Sequence, residues 1–219
     1  MSVAADSRGD LRVGLRVGLT GGLGSGKSTV RSMLTALGAY GLSADDLARS
    51  LMEPVQSVYA AIVQHFGSHV LAADGTLDRP ALAKLAFGEG RVEELNAIVH
   101  PATIALQAER MAAIFEANPA AVVVVESALL FETKHGAEWQ NRFDRIVLVT
   151  APEATKIARF VARSGGQDVP ALEREARRRL DQLIPDEQKF SQVDHVLHND
   201  GTLAELQQKV NDLWGVLNR

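Results

Sequence analysis

Residues 21–28 read Gly-Gly-Leu-Gly-Ser-Gly-Lys-Ser, two glycines five apart followed directly by Lys27 and Ser28. This is the spacing G-x-x-x-x-G-K-[ST] of a phosphate-binding loop. Glycines let successive backbone N–H groups turn inward on an anion, the Lys27 ammonium reaches the outer phosphates of a nucleotide, and the Ser28 hydroxyl ligates Mg²⁺. Nucleotide contacts are expected from Gly22, Leu23, Gly24, Ser25, Gly26, Lys27, Ser28 and Thr29, with Ser28 as the metal ligand. Carboxylates suited to proton transfer follow at two places. Asp45 and Asp46 stand after a short apolar run, and Glu126 closes the run Val122-Val123-Val124-Val125. One of the adjacent pair takes a proton from an attacking hydroxyl and the other caps a helix, and their spacing leaves open which does which. Glu126 fits Mg²⁺ positioning, acceptor orientation or a bond to neighbouring backbone equally well. Arginines concentrate later, Arg159 and Arg163 four apart and then a cluster at 174–179. Phosphoryl transfer needs positive charge over the moving group, which a mobile flap bearing these arginines supplies. The plainer reading of the cluster is a solvated helix laced by Glu173 with Arg177 and Glu175 with Arg179.

Such groups need a frame that holds them at one edge. Isolated apolar runs at 15–20, 40–43, 121–126, 145–150 and 194–198, separated by helical stretches, predict a parallel α/β sheet. The loop sits between the first run and a helix marked by Val30, Met33, Leu34 and Leu37. No strand is expected from 44 to 119. There, Val55, Val58, Tyr59, Ile62 and Phe66 make one helical stripe, and Ile104, Met111 and Phe115 another, on a segment opened by His100-Pro101. After Pro152, Ala154, Ile157, Ala158 and Val161 form the expected buried stripe, leaving Lys156, Arg159 and Arg163 on the other side. The expected fold is α/β, a P-loop NTPase-type three-layer arrangement with a five-stranded parallel sheet. A helical acceptor-binding insertion spans about 46–118 and a helical lid about 158–190, in one domain over 13–219 that follows a disordered extension at 1–12.

With 219 residues, 46% of them hydrophobic, the chain can bury one good core. A net charge of −4 offers no general attraction to nucleic acid or anionic membrane, and no apolar run approaches bilayer length. Small soluble substrates, a cytoplasmic location and a monomer or weak homo-oligomer are therefore expected. Cysteine is absent, which excludes disulfide and thiolate chemistry. A GTPase switch would carry Asn-Lys-x-Asp, which the chain lacks. A motor ATPase would use 122–126 as its Walker B strand, and a shikimate-type or nucleoside-type kinase would share the acid after the second strand.

From about Val17 onward the chain resembles the dephospho-coenzyme A kinases. Val17-Gly18-Leu19-Thr20 leading into the loop looks like that family's form of it. Ser43-Ala44-Asp45 with Ala48-Arg49 is similar to its Asp-Ala-Asp followed by Ala-Arg, and Leu95-Asn96 with His100-Pro101 to its Leu-Asn…His-Pro. Glu126-Ser127-Ala128-Leu129-Leu130-Phe131-Glu132 resembles Asp-x-Pro-Leu-Leu-Phe-Glu, and Gln182, Lys189 and Asn199-Asp200-Gly201 resemble the closing Gln…Lys…Asn-x-Gly. The resemblance implies ATP and Mg²⁺ as cofactors and transfer to the ribose 3′-hydroxyl of dephospho-coenzyme A, the last step of coenzyme A biosynthesis. It selects Asp45 as the base and places Arg159 and Arg163 in the lid and Asn199 near the adenine of ATP. Arg79, His100, Glu126 and Leu129 are implied on the acceptor side. The chain departs from the pattern at Ser43, Ala83, Glu126 and Ala128, with Lys84 beside Ala83 as a possible replacement cation.

Overall fold

A computed structural model describes residues 14–135, 138–166 and 168–219. The extension expected at 1–12 lies outside them. Strand β1 (Leu15–Thr20) leads through the phosphate loop into α1 (Lys27–Ala36), and β2 (Tyr40–Ser43) runs directly into α2 (Ala44–Leu51). Helices α3 (Ser57–Phe66), α4 (Arg79–Ala83) and α5 (Val92–Ala117) complete a helical lobe before β3 (Val122–Glu126). A short α6 (Trp139–Arg142) precedes β4 (Arg145–Thr150). Helices α7 (Glu153–Ser164) and α8 (Val169–Asp181) pair with each other, α9 (Asp186–Lys189) leads to β5 (His195–His198), and α10 (Leu203–Leu217) follows.

The five strands are all parallel in the order β2-β3-β1-β4-β5. Valine-rich runs suit such strands because a parallel sheet is covered on both faces. Val17, Leu19, Val122, Val124, Val147 and Val149 bury one face against Val30 and Leu34 of α1 and Leu206, Val210 and Leu213 of α10. The alternate residues Val123, Val125 and Ile146 bury the other against Met111, Leu130 and Phe143. Two smaller cores stand apart: Val58, Ile62, Phe66, Leu82 and Val99 in the helical lobe, and Ile157, Phe160 and Ala176 between α7 and α8.

Parallel register brings the C-terminal strand ends to one edge, where open α/β sheets hold their ligands. Leu19 and Ser43 both stand opposite Glu126, and Thr150 opposite His198.

Local structure differs from the sequence expectation in three places. Helix α5 begins at Val92 and passes through Pro101 instead of opening there. Pro101 lies on the exposed side, so one lost backbone bond in a 26-residue helix is outweighed by packing of Val99 and Met111 on either side of it. Helix α2 starts at Ala44, and its cap is Ser43, whose Oγ accepts from Asp46 N at 3.2 Å, so neither aspartate is the cap. In α7 the buried residues are Lys156, Ile157 and Phe160, while Ala154 and Ala158 are exposed. The phosphate loop and α8 pack on that helix, and Lys156 is drawn inward by a carboxylate from α9.

Among the described residues no helix is long and apolar enough to cross a membrane.

Candidate active site

The phosphate loop is shaped by contacts that only glycine permits. Gly24 has φ +72°, and a Cβ there would lie 2.2 Å from the Lys156 carbonyl oxygen. Gly26 has φ +100°, and its Cβ would meet Asn199 Nδ2 at 2.2 Å. Gly26 is also the N-cap of α1 and supplies no side-chain cap, so the first N–H groups of that helix remain available to an anion. Asn199 braces the loop from outside, donating from Nδ2 to Ser25 O at 2.8 Å, while its own N–H donates to Thr150 O at 2.8 Å. The capping box of Thr202 and Glu205 holds the start of α10 just beyond it.

Lys27 is buried, and its Nζ donates to Gly21 O at 2.8 Å and Gly22 O at 3.0 Å. Burial pushes its pKa down to about 8, against the opposing pull of Glu126 and Asp45. A desolvated ammonium bonded only to carbonyls gains from an arriving phosphate. Ser28 Oγ donates to Glu126 Oε1 at 2.6 Å, and Arg31 Nε donates to Glu126 Oε2 at 2.8 Å. The register that sets Glu126 beside β1 thus ties β3 to the first turn of α1. Arg31 is a member of this site that the sequence reading missed, although its place three residues after Ser28 puts it on the same helix face.

One cavity of 700 Å³ joins these groups. Gly24, Gly26, Lys27, Ser28 and Thr29 of the loop and α1, Asp45, Glu126 and Leu129 at or just past the strand ends, and Arg159, Arg163 and Arg179 from α7 and α8 all line it. Arg159 Nη2 donates to Asn199 O at 3.2 Å and to Asn199 Oδ1 at 3.3 Å, while its Nη1 is buried without a partner among the described residues. Of the arginine cluster, Arg179 reaches the cavity and also pairs with Glu175 at 2.7 Å. Arg177 pairs with Glu173 and Arg179 with Glu175 along α8, as the solvated-helix reading anticipates, and Arg178 adds a further pair with Glu175. Asp45 faces the cavity, whereas Asp46 pairs with Arg49 at 2.9 Å.

A second cavity, of 110 Å³, adjoins the first, sharing Asp45, Ser127 and Leu129 with it and adding His100. Arg79 is not brought to either. It lies at a separate hollow with Met52, Glu53 and Thr76, 4.0 Å from the Glu53 carboxylate.

Beneath the loop, buried Asp186 of α9 accepts from Lys156 Nζ and, at 2.6 Å, from Thr150 Oγ1. Fully buried Lys189 donates to Glu132 Oε1 at 2.8 Å, and that same oxygen accepts from Ile184 N. These pairs anchor the segment after α8 to the sheet.

A phosphate loop between β1 and α1, an acid just after β2 and a cationic helical pair facing both define a P-loop kinase that phosphorylates a small molecule. The family model for dephospho-CoA kinase matches residues 15–205. A dephospho-CoA kinase from Salinibacter ruber is 42% identical over 196 residues, covering 87% of this chain and 92% of that protein, and one from Leifsonia xyli is 38% identical over 192 residues, covering 87% and 92%. The crystal structure of TT1252 from Thermus thermophilus superposes with a TM-score of 0.75 at 31% identity, covering 94% of this chain and 99% of that one. The chain belongs to the dephospho-CoA kinase family.

Proposed function

We propose that the chain transfers the γ-phosphoryl group of ATP to the ribose 3′-hydroxyl of dephospho-coenzyme A, giving coenzyme A and ADP, with Asp45 as the base. Family membership carries the reaction, which is the last step of coenzyme A biosynthesis. The observation that supports the residue roles is the single cavity that Lys27, Asp45, Arg159 and Arg163 all line. The loop N–H groups and Lys27 hold the β- and γ-phosphates, and Asn199 closes the loop on the adenine side. Asp45 accepts a hydrogen bond from the 3′-hydroxyl and takes its proton as the new O–P bond forms and the bond to the β-phosphate oxygen breaks. Arg159 and Arg163, which both line the cavity, bear on the charge spread over the moving group. The helical lobe and the lid exclude water, which would otherwise compete as acceptor.

The oxygen donors at the site suit Mg²⁺. The Ser28 hydroxyl and the Glu126 carboxylate, bonded to each other, would supply hard oxygen ligands to the ion. When bound, the ion neutralises phosphate charge. The test is a panel of acceptors incubated with ATP and Mg²⁺ and read by mass spectrometry. A phosphoryl gain on dephospho-coenzyme A at the 3′-oxygen, with little on adenosine or shikimate, is expected. Turnover of another acceptor in its place would overturn the substrate and leave the kinase reading.

A further inference from the structure

The 110 Å³ cavity next to Asp45 contains a buried cation that the roles above do not use. Arg142, at the end of α6, forms part of its wall and is 9% exposed. Its Nη2 donates to Gln107 Oε1 at 2.7 Å, and its guanidinium lies over the Phe143 ring at 4.9 Å. Both partners are uncharged, and among the described residues no carboxylate pairs with Arg142. Burial alone lowers its pKa, with no compensating acid. Buried guanidinium groups are ordinarily held by carboxylates or phosphates, because desolvating an unpaired charge is costly. On the same cavity, His100 Nδ1 is buried with no hydrogen-bond partner among the described residues. Among the described residues, the acid whose charge acts on His100 is Glu93, which is already engaged by Lys134 at 3.8 Å and His135 at 3.3 Å, while His135 and Arg142 oppose it. The cavity is therefore lined by the base it shares with the nucleotide site, by an uncompensated cation and by a histidine whose buried Nδ1 has no partner among the described residues.

A volume of 110 Å³ is that of a few water molecules, enough for a compact charged group and too small for a nucleotide or a pantetheine arm. The acceptor assigned above carries a compact anion close to its reacting hydroxyl, the diphosphate on the 5′-carbon of the same ribose. We infer that Arg142, with His100, forms the subsite that binds the diphosphate bridge of the acceptor, so that anchoring this group delivers the 3′-hydroxyl to Asp45. The inference rests on the proposed function and extends it to how the acceptor is recognised. Among the described residues one N–H of Arg142 is committed to Gln107, and a guanidinium carries further donors able to bond phosphate oxygens. Arg142 acts on the acceptor's position and leaves the proton transfer to Asp45.

The test compares ligands that differ only in phosphate. Arg142→Gln retains a side chain able to bond Gln107, and Arg142→Lys retains the charge. Arg142→Gln should raise KM for dephospho-coenzyme A by at least about tenfold, the loss falling on KM more than on kcat, with Arg142→Lys recovering part of it. Competitive inhibition by 4′-phosphopantetheine should weaken by a similar factor, while inhibition by pantetheine and KM for ATP stay as in the parent. Equal weakening for phosphopantetheine and pantetheine, or no change in either, would overturn the inference and make Arg142 a packing residue. In the unmodified protein the His100 imidazole, followed by NMR, should titrate at higher pH with 4′-phosphopantetheine bound than with pantetheine. An identical titration with both would also overturn it, whether or not the variants fold. Failure of the unmodified protein to phosphorylate dephospho-coenzyme A would instead bring down the reading on which this one stands.

Discussion

Lys156 and Asp186, thirty residues apart, form a buried ion pair beneath the phosphate loop, and Thr150 at the end of β4 donates its hydroxyl to the same carboxylate oxygen. The pair joins the first turn of α7 to α9, so both ends of the α7–α8 segment are fixed to the sheet at one point. Removing one partner strands the other in the interior. Lys156→Met or Asp186→Asn should each lower unfolding free energy by about 3–5 kcal/mol, and a double variant with apolar residues at both positions should lose much less than the sum. Urea unfolding of the two singles and the double checks this, and strict additivity would show that the two side chains do not act as a pair.

Nucleotide binding should be linked to protonation of Lys27. Its pKa in the ligand-free protein is about 8, and a phosphate beside it must raise that value. ATP binding therefore takes up protons near pH 8–9, and affinity falls as pH rises past 8. Titration calorimetry at pH 8.5 in two buffers of different ionisation enthalpy measures the uptake, and Lys27→Ala should abolish it. The same lowered pKa means that the unfolded chain binds the proton more tightly, so this residue's contribution to stability of the ligand-free fold increases from pH 8 to the ordinary lysine range.

The two adjacent aspartates should separate cleanly. Asp45→Asn should reduce kcat by about 10²-fold or more, as for loss of a general base that also orients the hydroxyl. Asp46→Asn removes an exposed partner of Arg49 and no cap, so a change within about 0.5 kcal/mol in stability and near-normal kcat are expected. Ser43→Ala, by contrast, should cost about 1 kcal/mol, since Ser43 is the cap. Steady-state kinetics with thermal melts on the three variants decides the assignment, and a collapse of kcat in Asp46→Asn would reverse it.

For the lid, Arg159→Ala and Arg163→Ala should each lower kcat, at least one of them by about 10²-fold. Arg159→Ala also loses its bonds to Asn199, so it should raise KM for ATP where Arg163→Ala does not. Normal turnover in both variants would shift the role to Arg179, which lines the same cavity.

Much of this frame was legible in the chain because strongly apolar runs have few places to go. Each of the five runs is a strand within a residue of its expected bounds, and the glycine-lysine-serine spacing locates the loop between a strand and a helix. What escaped was decided by distant partners. The stripe expected along α7 includes Ala154 and Ala158, which are exposed in the fold, since nothing local tells that Asp186 draws Lys156 inward. Nothing in the local sequence marks Arg142, which is buried where α5 places Gln107 against it. The selection of Asp45 over Asp46 came from family resemblance, because adjacent residues of one type carry no spacing signal. The path of α5 through Pro101 depends on the packing of Val99 and Met111 on either side of it, and Ser43 takes the cap because α2 starts at Ala44.

The approach of Gly24 to the Lys156 carbonyl changes how damage to the loop is to be interpreted. At that point the nucleotide cradle is also a wall of the interior, and a methyl group has no room between it and α7. A random mutagenesis screen would thus score Gly24 with the residues that deplete protein levels, alongside Val147 or Leu34, and not with the soluble but inactive class to which Asp45 belongs.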